Sequence, residues 1–429
     1  METAVKRNLI LFMIGKFTAV LGSSVFGFAI GLYILAETGS SLNFAITLVL
    51  STLPRIILSP LAGTIADRLD RKKIIITTDF ACAAWLVITF ILFNFVFSAI
   101  WVLYLAAAVL SILNTFYSAA VTSAIHNMVG PDYLQKAFSL NQAAASLSTI
   151  LGPVLGGVLF ALVPITTFML INTITFVVSG IASVLIQYHL YAEQRAEADS
   201  TSVLQDIKSG FVYVKNQPFI FNLILISVLL NFWFAIFPVA LPYLVLQIRG
   251  MEAYQLGIIE GTFSVGMLIM AVVLSARAEI KRKDRAITTG LIVLPIILVM
   301  IGLPDLPMFL GVTNAAIFPY LMVMVFALSA FIMLINMPVM VLLQKSTPDV
   351  YRGRVTALIE MGATAMVPLG YILFGALLEK FPVWLLMTAC GFGIVLLIAY
   401  HLWKKTIFIH MNELESKAVP VNLAENTQT

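Results

Sequence analysis

A short charged stretch stands between two long apolar stretches near the start of the chain. Residues 63–73, GTIADRLDRKK, carry six ionised side chains. The stretch before it, Asn43 to Ala66, has Arg55 as its one charged residue, and the stretch after it, Ile74 to Phe97, has Asp79. Each stretch is long enough to cross a hydrocarbon core of about 30 Å as a helix. The sequence therefore predicts an aqueous loop between two membrane spans.

Charged residues are missing from three much longer runs as well. Residues 80–131, 137–192 and 306–344 contain no Asp, Glu, Lys or Arg, and only 11% of the chain is charged, against about 25% in soluble domains. In lipid, only helices and closed barrels satisfy the backbone, and these runs lack the alternating pattern of barrel strands. We therefore predict an all-α membrane protein.

Counting from one polar interruption to the next predicts twelve spans. They are Asn8–Ala36, Asn43–Ala66, Ile74–Phe97, Trp101–His126, Ala137–Ala161, Ile165–Leu190, Phe219–Leu246, Ala253–Ala276, Ala286–Leu303, Pro319–Gln344, Val355–Leu378 and Val383–Lys404. Both cysteines, Cys82 and Cys390, fall inside spans, so neither a disulfide framework nor a metal site is predicted, and no cofactor is expected.

Lys and Arg residues predict the orientation of the chain. If the N-terminus is cytoplasmic, 21 of the 25 lie in cytoplasmic segments, Arg249 and Lys380 lie outside, and Lys16 and Arg55 lie within spans. Positive charge is retained on the cytoplasmic side of membrane proteins. We therefore expect a multi-pass protein of the cytoplasmic (inner) membrane with both termini in the cytoplasm.

Three landmarks recur at nearly one offset along the chain. PDYLQKA at Pro131 returns as PDVYRGR at Pro348, Pro153 with its glycines returns as Pro368 with Gly370, and a basic loop returns at 281–285. We predict a six-helix bundle at 1–190, a cytoplasmic linker with an amphipathic helix at 191–217, a second bundle at 218–405 and a cytoplasmic tail at 406–429. Two parallel six-helix repeats are one of the known transporter architectures.

Two motifs resemble the major facilitator superfamily. The family's loop signature after its second helix, G-x-L-A-D-R-x-G-R-K, is matched by Gly63, Ala66, Asp67, Arg68, Arg71 and Lys72, with Asp70 where Gly is usual. The exporter signature GPxxGG is matched by Gly152, Pro153, Gly156 and Gly157. TGSS at Thr38 and PDVYRGRV before the eleventh span are similar to the macrolide-efflux (Mef-like) branch, which includes siderophore exporters. The resemblance implies twelve helices in two pseudo-symmetric bundles, with the substrate at their interface.

For the signature loop, the resemblance implies a gating role. Arg71 or Arg68 is expected to pair with Glu360 of the other half when the transporter faces outward and to release it when it faces inward, with Asp67 supporting the loop. The alternative is that these charges only set the topology. Asp79 is expected to support the same loop.

Charges within spans are costly and must face protein or a wet cavity. Lys16, Arg55 and Glu260 are such residues, and Glu260 shares a helix face with Gly257, Gly261 and Ser264. We predict that this small, polar stripe admits water or ligand and that Glu260 is the proton-coupling residue. The alternative is that Glu260 is a structural partner of Lys16 or Arg55.

The substrate cavity is predicted to be lined by spans one, two, four, five, seven, eight, ten and eleven. The candidate cavity residues are Lys16, Arg55, Asn114, Ser118, Gln142, Asn231, Phe234 and Asn336. Each of the uncharged polar residues is also suited to a simple helix-to-helix hydrogen bond.

A secondary exporter is the favoured function, with protons as the coupling ion and a small amphipathic compound, such as a macrolide or another drug, as the substrate. The alternatives are a siderophore or lysolipid exporter of the same fold, and a membrane-embedded enzyme or lipid-handling protein. No GxxxxGK[ST], HExxH or GxSxG motif is present, so neither ATP hydrolysis nor catalysis is predicted. We expect a monomer in contact with lipid and no nucleic-acid partner.

Overall fold

The computed structural model describes residues 2–96, 99–191, 211–212, 214–276, 282–347 and 349–403. These residues form helices and no strand, and twelve helices are long and apolar enough to span a membrane. The predicted all-α class and the number of spans are confirmed. The amphipathic helix predicted in the linker and the tail at 406–429 fall largely outside the described residues, so the domain boundaries stay a prediction.

We number the spans α1 to α12. They are α1 (Glu2–Thr38), α2 (Ser41–Arg68), α3 (Arg71–Ile91), α4 (Ile100–Val129), α5 (Leu134–Phe160), α6 (Ile165–Leu185), α7a (Pro218–Phe234) with α7b (Ile236–Pro242), α8 (Ala253–Ala276), α9 (Lys283–Gly302), α10 (Asn314–Ser346), α11a (Asp349–Ala365) with α11b (Val367–Leu378), and α12 (Val383–Trp403). Several helices are longer than predicted. For example, α1 begins at Glu2, whereas the apolar pattern begins at Asn8.

Helix pairing repeats between the two halves. In the first half α1 packs on α5 and α6, α2 on α4, and α3 on both α4 and α6. In the second half α7 packs on α11 and α12, α8 on α10, and α9 on both α10 and α12. Each pair in one half becomes its counterpart when six is added to the helix numbers. This confirms the two pseudo-symmetric bundles.

Prolines break two spans that pack on each other. Pro238 lacks the N–H that would bond the carbonyl of Phe234, and α7 breaks at Ala235. Pro368 stands at the start of α11b, just after the break at Met366. Because proline also clashes with the preceding turn, a break or kink is expected at both places. A Cβ added at Gly370 would lie 2.5 Å from Ala235 Cβ, so the two breaks bring α7 and α11 into close contact.

Alternation of the spans gives the bundle two distinct ends. One end, which we call the basic end, holds the start of α1 and the ends of α2, α4, α6, α8 and α10. The other, distal end holds the loops after α1, α3, α5, α7, α9 and α11. At the distal end Arg249 donates to Asn314 Oδ1 at 3.2 Å and to the carbonyls of Phe309 and Val312. Arg249 thus joins the α7–α8 loop to the α9–α10 loop.

Candidate functional site

A polar cavity of about 750 Å³ lies within the first half. Its walls come from α1, α2, α4 and α5, as predicted for this half. Along α2, cavity-lining residues recur every four positions, so that they form one face of the helix: Thr47, Ser51, Arg55, Ser59 and Gly63. On α4 the predicted residues Asn114 and Ser118 line the same cavity.

Lys16 and Arg55 are the two charged residues in the lining of this cavity. The side chain of Arg55 is exposed to it, and the described residues offer Arg55 no hydrogen bond or ion pair. Lys16 is only 8% exposed, and its Nζ lies 5.0 Å from the centre of the Tyr117 ring, which is cation–π distance. The predicted location of both cations in the cavity wall agrees with the structure.

Asp79 lies behind this wall, between α3 and α6. It is 1% exposed, and its Oδ2 accepts hydrogen bonds from Ser179 at 3.0 Å and Ser183 at 3.2 Å. Its charge is close enough to act on Lys16. In this structure Asp79 therefore joins two helices of the first half and does not touch the signature loop itself.

An apolar cavity of about 350 Å³ lies within the second half. The predicted residues Asn231, Phe234 and Asn336 line it, together with leucine and isoleucine side chains. Next to Phe234, the ring of Phe237 is stacked between Phe234 and Phe263, with ring centres 5.4 and 5.7 Å apart. Most of the lining is aliphatic or aromatic, and its polar residues are Ser227, Asn231 and Asn336, in contrast to the polar cavity with its two cations.

The prediction of which helices line the second cavity is wrong in one respect. Ile287, Leu291 and Leu294 of α9 line it, although α9 is not among the predicted lining spans. None of the described side chains of α11 lines it. Because α9 packs along α10, its side chains fill the space between α7 and α10. In α5, Ala145 lines the polar cavity but Gln142, although exposed, lines neither of the two.

The small-residue stripe beside Glu260 has a different role from the predicted one. A Cβ added at Gly257 would lie 2.3 Å from the Pro153 carbonyl oxygen, and one at Gly261 would lie 2.7 Å from a Val154 methyl group. Ser264 donates to the carbonyl of Thr149 at 3.4 Å. The stripe is therefore the surface on which α8 packs against α5, and it is closed to ligand.

Glu260 stands at the border of this packing surface. Because successive helical residues are rotated by about 100°, Glu260 lies on nearly the same side of α8 as Met267. Met267 and Phe263 line the apolar cavity. Glu260 is partly exposed, and no hydrogen bond or ion pair joins it to a described residue. The alternative of a direct ion pair with Lys16 or Arg55 is not realised in this structure.

The GPxxGG segment closes the distal end. Gly152 and Gly156 face Ser24 and Phe28 of α1, so the first and fifth positions of the motif bring α5 onto α1. Gly157 faces the other half, where an added Cβ would lie 2.5 Å from the carbonyl oxygen of Ala253. Glycine is required where two helix backbones approach so closely. The motif therefore joins the two halves at α5 and α8.

A second contact closes the same end between α2 and α11b. Ser41 Oγ donates to the carbonyl of Gly375 at 2.8 Å, and a Cβ at Gly375 would lie 2.6 Å from Ala45 Cβ. Toward the basic end of the same helix α2, a Cβ at Gly63 would meet no atom of the described residues within 4 Å, and Ser59 is exposed. The two halves are thus in close contact at the distal end, through α5 with α8 and α2 with α11b.

Residues of the signature loop make several contacts within the first half. Asp70 caps α3 by accepting from the backbone N–H of Lys72 at 2.9 Å, which explains why aspartate is compatible with this position. Arg71 donates to the Ser123 carbonyl at 2.9 Å and lies 3.9 Å from Asp67. Lys72 donates to carbonyls of Val184 and Ile186 at the end of α6, where a cation is favourable.

Glu360 is exposed on α11a, and its side chain has no partner among the described residues. The predicted pairing of Glu360 with Arg71 or Arg68 is thus not formed while the distal end is closed. Because the pairing was expected only in the opposite, outward-facing state, it stays a prediction.

Comparison with known proteins decides the family. The family model of the Major Facilitator Superfamily matches residues 12–359. The chain belongs to the major facilitator superfamily. The predicted resemblance is confirmed, and the protein is a multi-pass membrane protein of a family of small-molecule transporters, with no catalytic family indicated.

Relatives within the superfamily include efflux proteins. The chain is 26% identical to the MFS-type transporter YfiS of Bacillus subtilis (strain 168) over 82% of each chain. It is 22% identical to macrolide efflux protein A of Streptococcus pyogenes, over 87% of this chain and 90% of the relative. A solved bacterial homologue of the human lysosomal transporter Spinster has the same fold, with a TM-score of 0.69 at 13% identity over 95% of this chain and 98% of that one.

Several residues of this major facilitator site escaped the sequence analysis. Ser51 and Ser59 flank Arg55 by one turn on each side, and Tyr117 lies under Lys16. The two serines could have been predicted from the sequence, because a polar residue at every fourth position of an apolar span indicates the side that faces a cavity. Tyr117 carries no such signal, since aromatic residues are common on every side of a membrane helix.

Proposed function

We propose that this protein is a secondary exporter of amphipathic small molecules, such as macrolides or other drugs, working as a proton-coupled antiporter. The observation that supports it best is the presence of a polar cavity in one half and an apolar cavity in the other. An amphipathic molecule can place its polar part against the first and its apolar part against the second. The name of the relative macrolide efflux protein A is consistent with this.

We further propose that the basic end faces the cytoplasm and that the protein is a monomer of the cytoplasmic membrane. A transporter loaded from the cytoplasm must first open there, and the close contacts between the halves at the distal end are compatible with opening at the basic end. A siderophore or lysolipid exporter of the same fold is the second candidate, favoured by the two cations in the polar wall.

The test uses everted membrane vesicles, whose interior corresponds to the cell exterior. Vesicles that contain the protein are expected to accumulate a labelled macrolide when a proton gradient is imposed, and to lose it when an uncoupler collapses the gradient. Matched vesicles without the protein provide the control. Accumulation that requires ATP but survives the uncoupler would contradict the proposed coupling.

Proton coupling is assigned to Glu260 in this proposal. Glu260 lies beside the apolar cavity and without a partner among the described residues, so that its proton is free to exchange when the cavity is wet. A neutral carboxyl can remain in a dry, closed cavity, whereas an ionised one is costly there. Alternation between these forms would link proton entry to substrate release.

The signature loop is proposed to bias the two states of the transporter. Asp67→Asn and Arg71→Ala should each reduce transport while the protein remains folded, because they change a conformational equilibrium by on the order of 1–3 kcal/mol. Transport per molecule in vesicles, normalised to protein level, is the measurement.

The Glu360→Gln variant distinguishes a pairing of Arg71 with Glu360 from a purely local role of the loop. If Arg71 pairs with Glu360 in the other state, Glu360→Gln should reproduce the loss seen with Arg71→Ala, and the double variant should be no worse than either. Arg71 also holds α4 through Ser123 in this structure. Normal transport by Glu360→Gln beside defective Arg71→Ala would therefore leave only that local role.

A further inference from the structure

The charges that line the two cavities all have one sign. Lys16 and Arg55 line the polar cavity, and none of the described residues that line either cavity is Asp or Glu. Arg55 is exposed to the cavity between Ser51 and Ser59 and has no partner among the described residues. A guanidinium in the middle of a span is tolerated only where water or an anion can reach it.

Lys16 adds to this positive field. Its charge lies near that of Arg55 and that of Asp79. Asp79, however, is buried behind the wall and already accepts from Ser179 and Ser183. One buried carboxylate therefore stands against two cations, of which Arg55 projects into the cavity, and the cavity presents a net positive charge to its contents.

Uncharged donors surround the same place. Asn114 and Ser118 of α4 line the cavity, and their side chains have no hydrogen-bond partner among the described residues. An amide, a hydroxyl and a guanidinium all donate hydrogen bonds, and the planar guanidinium matches the paired oxygens of a carboxylate, phosphate or sulfonate.

We infer that the transported compound carries an anionic group, which Arg55 binds with help from Lys16, Asn114 and Ser118, while its apolar body occupies the cavity of the second half. This inference rests on the proposed exporter function and names its substrate class. It disfavours compounds whose only charge is an amine, including macrolides that carry an amino sugar, since these would meet two cations. Among the amphipathic compounds proposed above, it therefore favours the acidic ones. Glu260 belongs to the other half, so proton coupling and anion binding can be tested separately.

A matched pair of probes isolates the anionic group. 8-Anilinonaphthalene-1-sulfonate and N-phenyl-1-naphthylamine share one aromatic skeleton and differ by the sulfonate. Binding to the purified full chain in phosphatidylcholine nanodiscs is measured by calorimetry, with empty nanodiscs subtracted. The sulfonate is expected to bind at least about tenfold more tightly than the neutral probe, because a charge-assisted hydrogen bond is worth about that much.

Variants locate the site. Arg55→Gln should weaken binding of the sulfonate about tenfold or more and leave the neutral probe unchanged, with a smaller loss for Lys16→Gln. Arg285→Gln, an equal change of charge at an exposed position of α9, should alter neither. If Arg55→Gln fails to fold, Arg55→Lys keeps the charge but loses the planar pair of donors, and it should give an intermediate affinity for the sulfonate alone.

Competition experiments show whether the bound anionic group is that of a free ion, of an amphipathic compound or of a lipid headgroup. Inorganic sulfate should compete only at high concentration if an apolar body is required, and lysophosphatidylglycerol should compete at low concentration if a lipid headgroup fits. Equal binding of the two probes, unchanged sulfonate binding in Arg55→Gln, or tighter binding of ethidium would overturn the inference.

Transport measurements distinguish a failure of the exporter function from a failure of the anion site. If everted vesicles fail to accumulate any probe while Arg55-dependent binding persists, the exporter function fails and the anion site stands. If the sulfonate and the neutral probe are pumped equally and Arg55→Gln has no effect, the exporter function stands and the anion site fails.

Discussion

Glu260→Gln is expected to abolish accumulation driven by a pH gradient, to the level of vesicles without the protein, while downhill exchange of substrate continues. Glutamine mimics the protonated carboxyl in shape and hydrogen bonding but cannot release a proton. The variant should therefore cycle between states without being driven. Accumulation and exchange are measured in everted vesicles between about pH 6 and 8, the range in which a coupling carboxyl must change its proton.

Glu252→Gln is the matched control for this experiment. Glu252 precedes the same helix by one residue, is exposed, and lies in the distal loop. The same substitution there should leave accumulation unchanged. Wild-type pumping by Glu260→Gln over the whole pH range would move the coupling site elsewhere, and Asp79 would be the next carboxylate to test.

Gly157→Ala is expected to open the distal end and to reduce transport strongly. The new Cβ would stand 2.5 Å from the backbone oxygen of Ala253, and a backbone atom cannot rotate away as a side chain can. α5 and α8 must then separate, which disfavours the closed distal end. The change in the balance of the two states should be on the order of 1–3 kcal/mol, or about 5- to 150-fold.

A cysteine at Ser51, a cavity-lining position, reports this opening. An impermeant maleimide applied from the distal side should label Ser51→Cys faster when Gly157→Ala is present. The native Cys82 and Cys390 are buried and contribute little background. Gly311→Ala is the control, because an added Cβ there meets nothing within 4 Å. Unchanged labelling and transport in Gly157→Ala would show that the close approach of α5 and α8 is not a gate.

The two signature motifs, the charged loop and GPxxGG, lie at opposite ends of the bundle. Gly157 and Gly257 let the halves meet at the distal end, while the charged loop lies at the basic end. Closure at one end and release at the other are the two requirements of alternating access. The motifs thus supply one element for each end.

The span count, the all-α class and the repeat were predictable from the sequence because they depend on local rules. A span needs a fixed length of apolar chain, its backbone must bond within itself, and a loop needs polar residues. Residues 63–73 satisfy the last rule, and aspartate, as at Asp70, is a residue type that commonly caps a helix. Lys16 and Arg55 do line the polar cavity of the first half, since a charge in a span has few other places to lie.

The rotation of each helix about its axis could not be predicted in the same way. A helix in lipid is apolar on its lipid side and on its protein side, so its sequence carries only a weak amphipathic signal. Gly257 and Gly261 therefore fit a ligand path or a helix contact equally well by pattern, and only their approach to Pro153 and Val154 distinguishes the two. The inward position of Ile287 on α9 was hidden for the same reason.

By itself, then, the sequence determined that this chain crosses a membrane twelve times as two related halves, which charges lie within the spans, and which loop and which glycines carry the motifs. Only the tertiary structure decided that the polar and apolar cavities belong to different halves, that the Glu260 stripe packs on α5, and that Asp79 is held by Ser179 and Ser183. The first set follows from the length and polarity of single segments. The second set depends on which helix faces meet, and small residues determine this by letting backbones approach, whatever the hydrophobicity of either face.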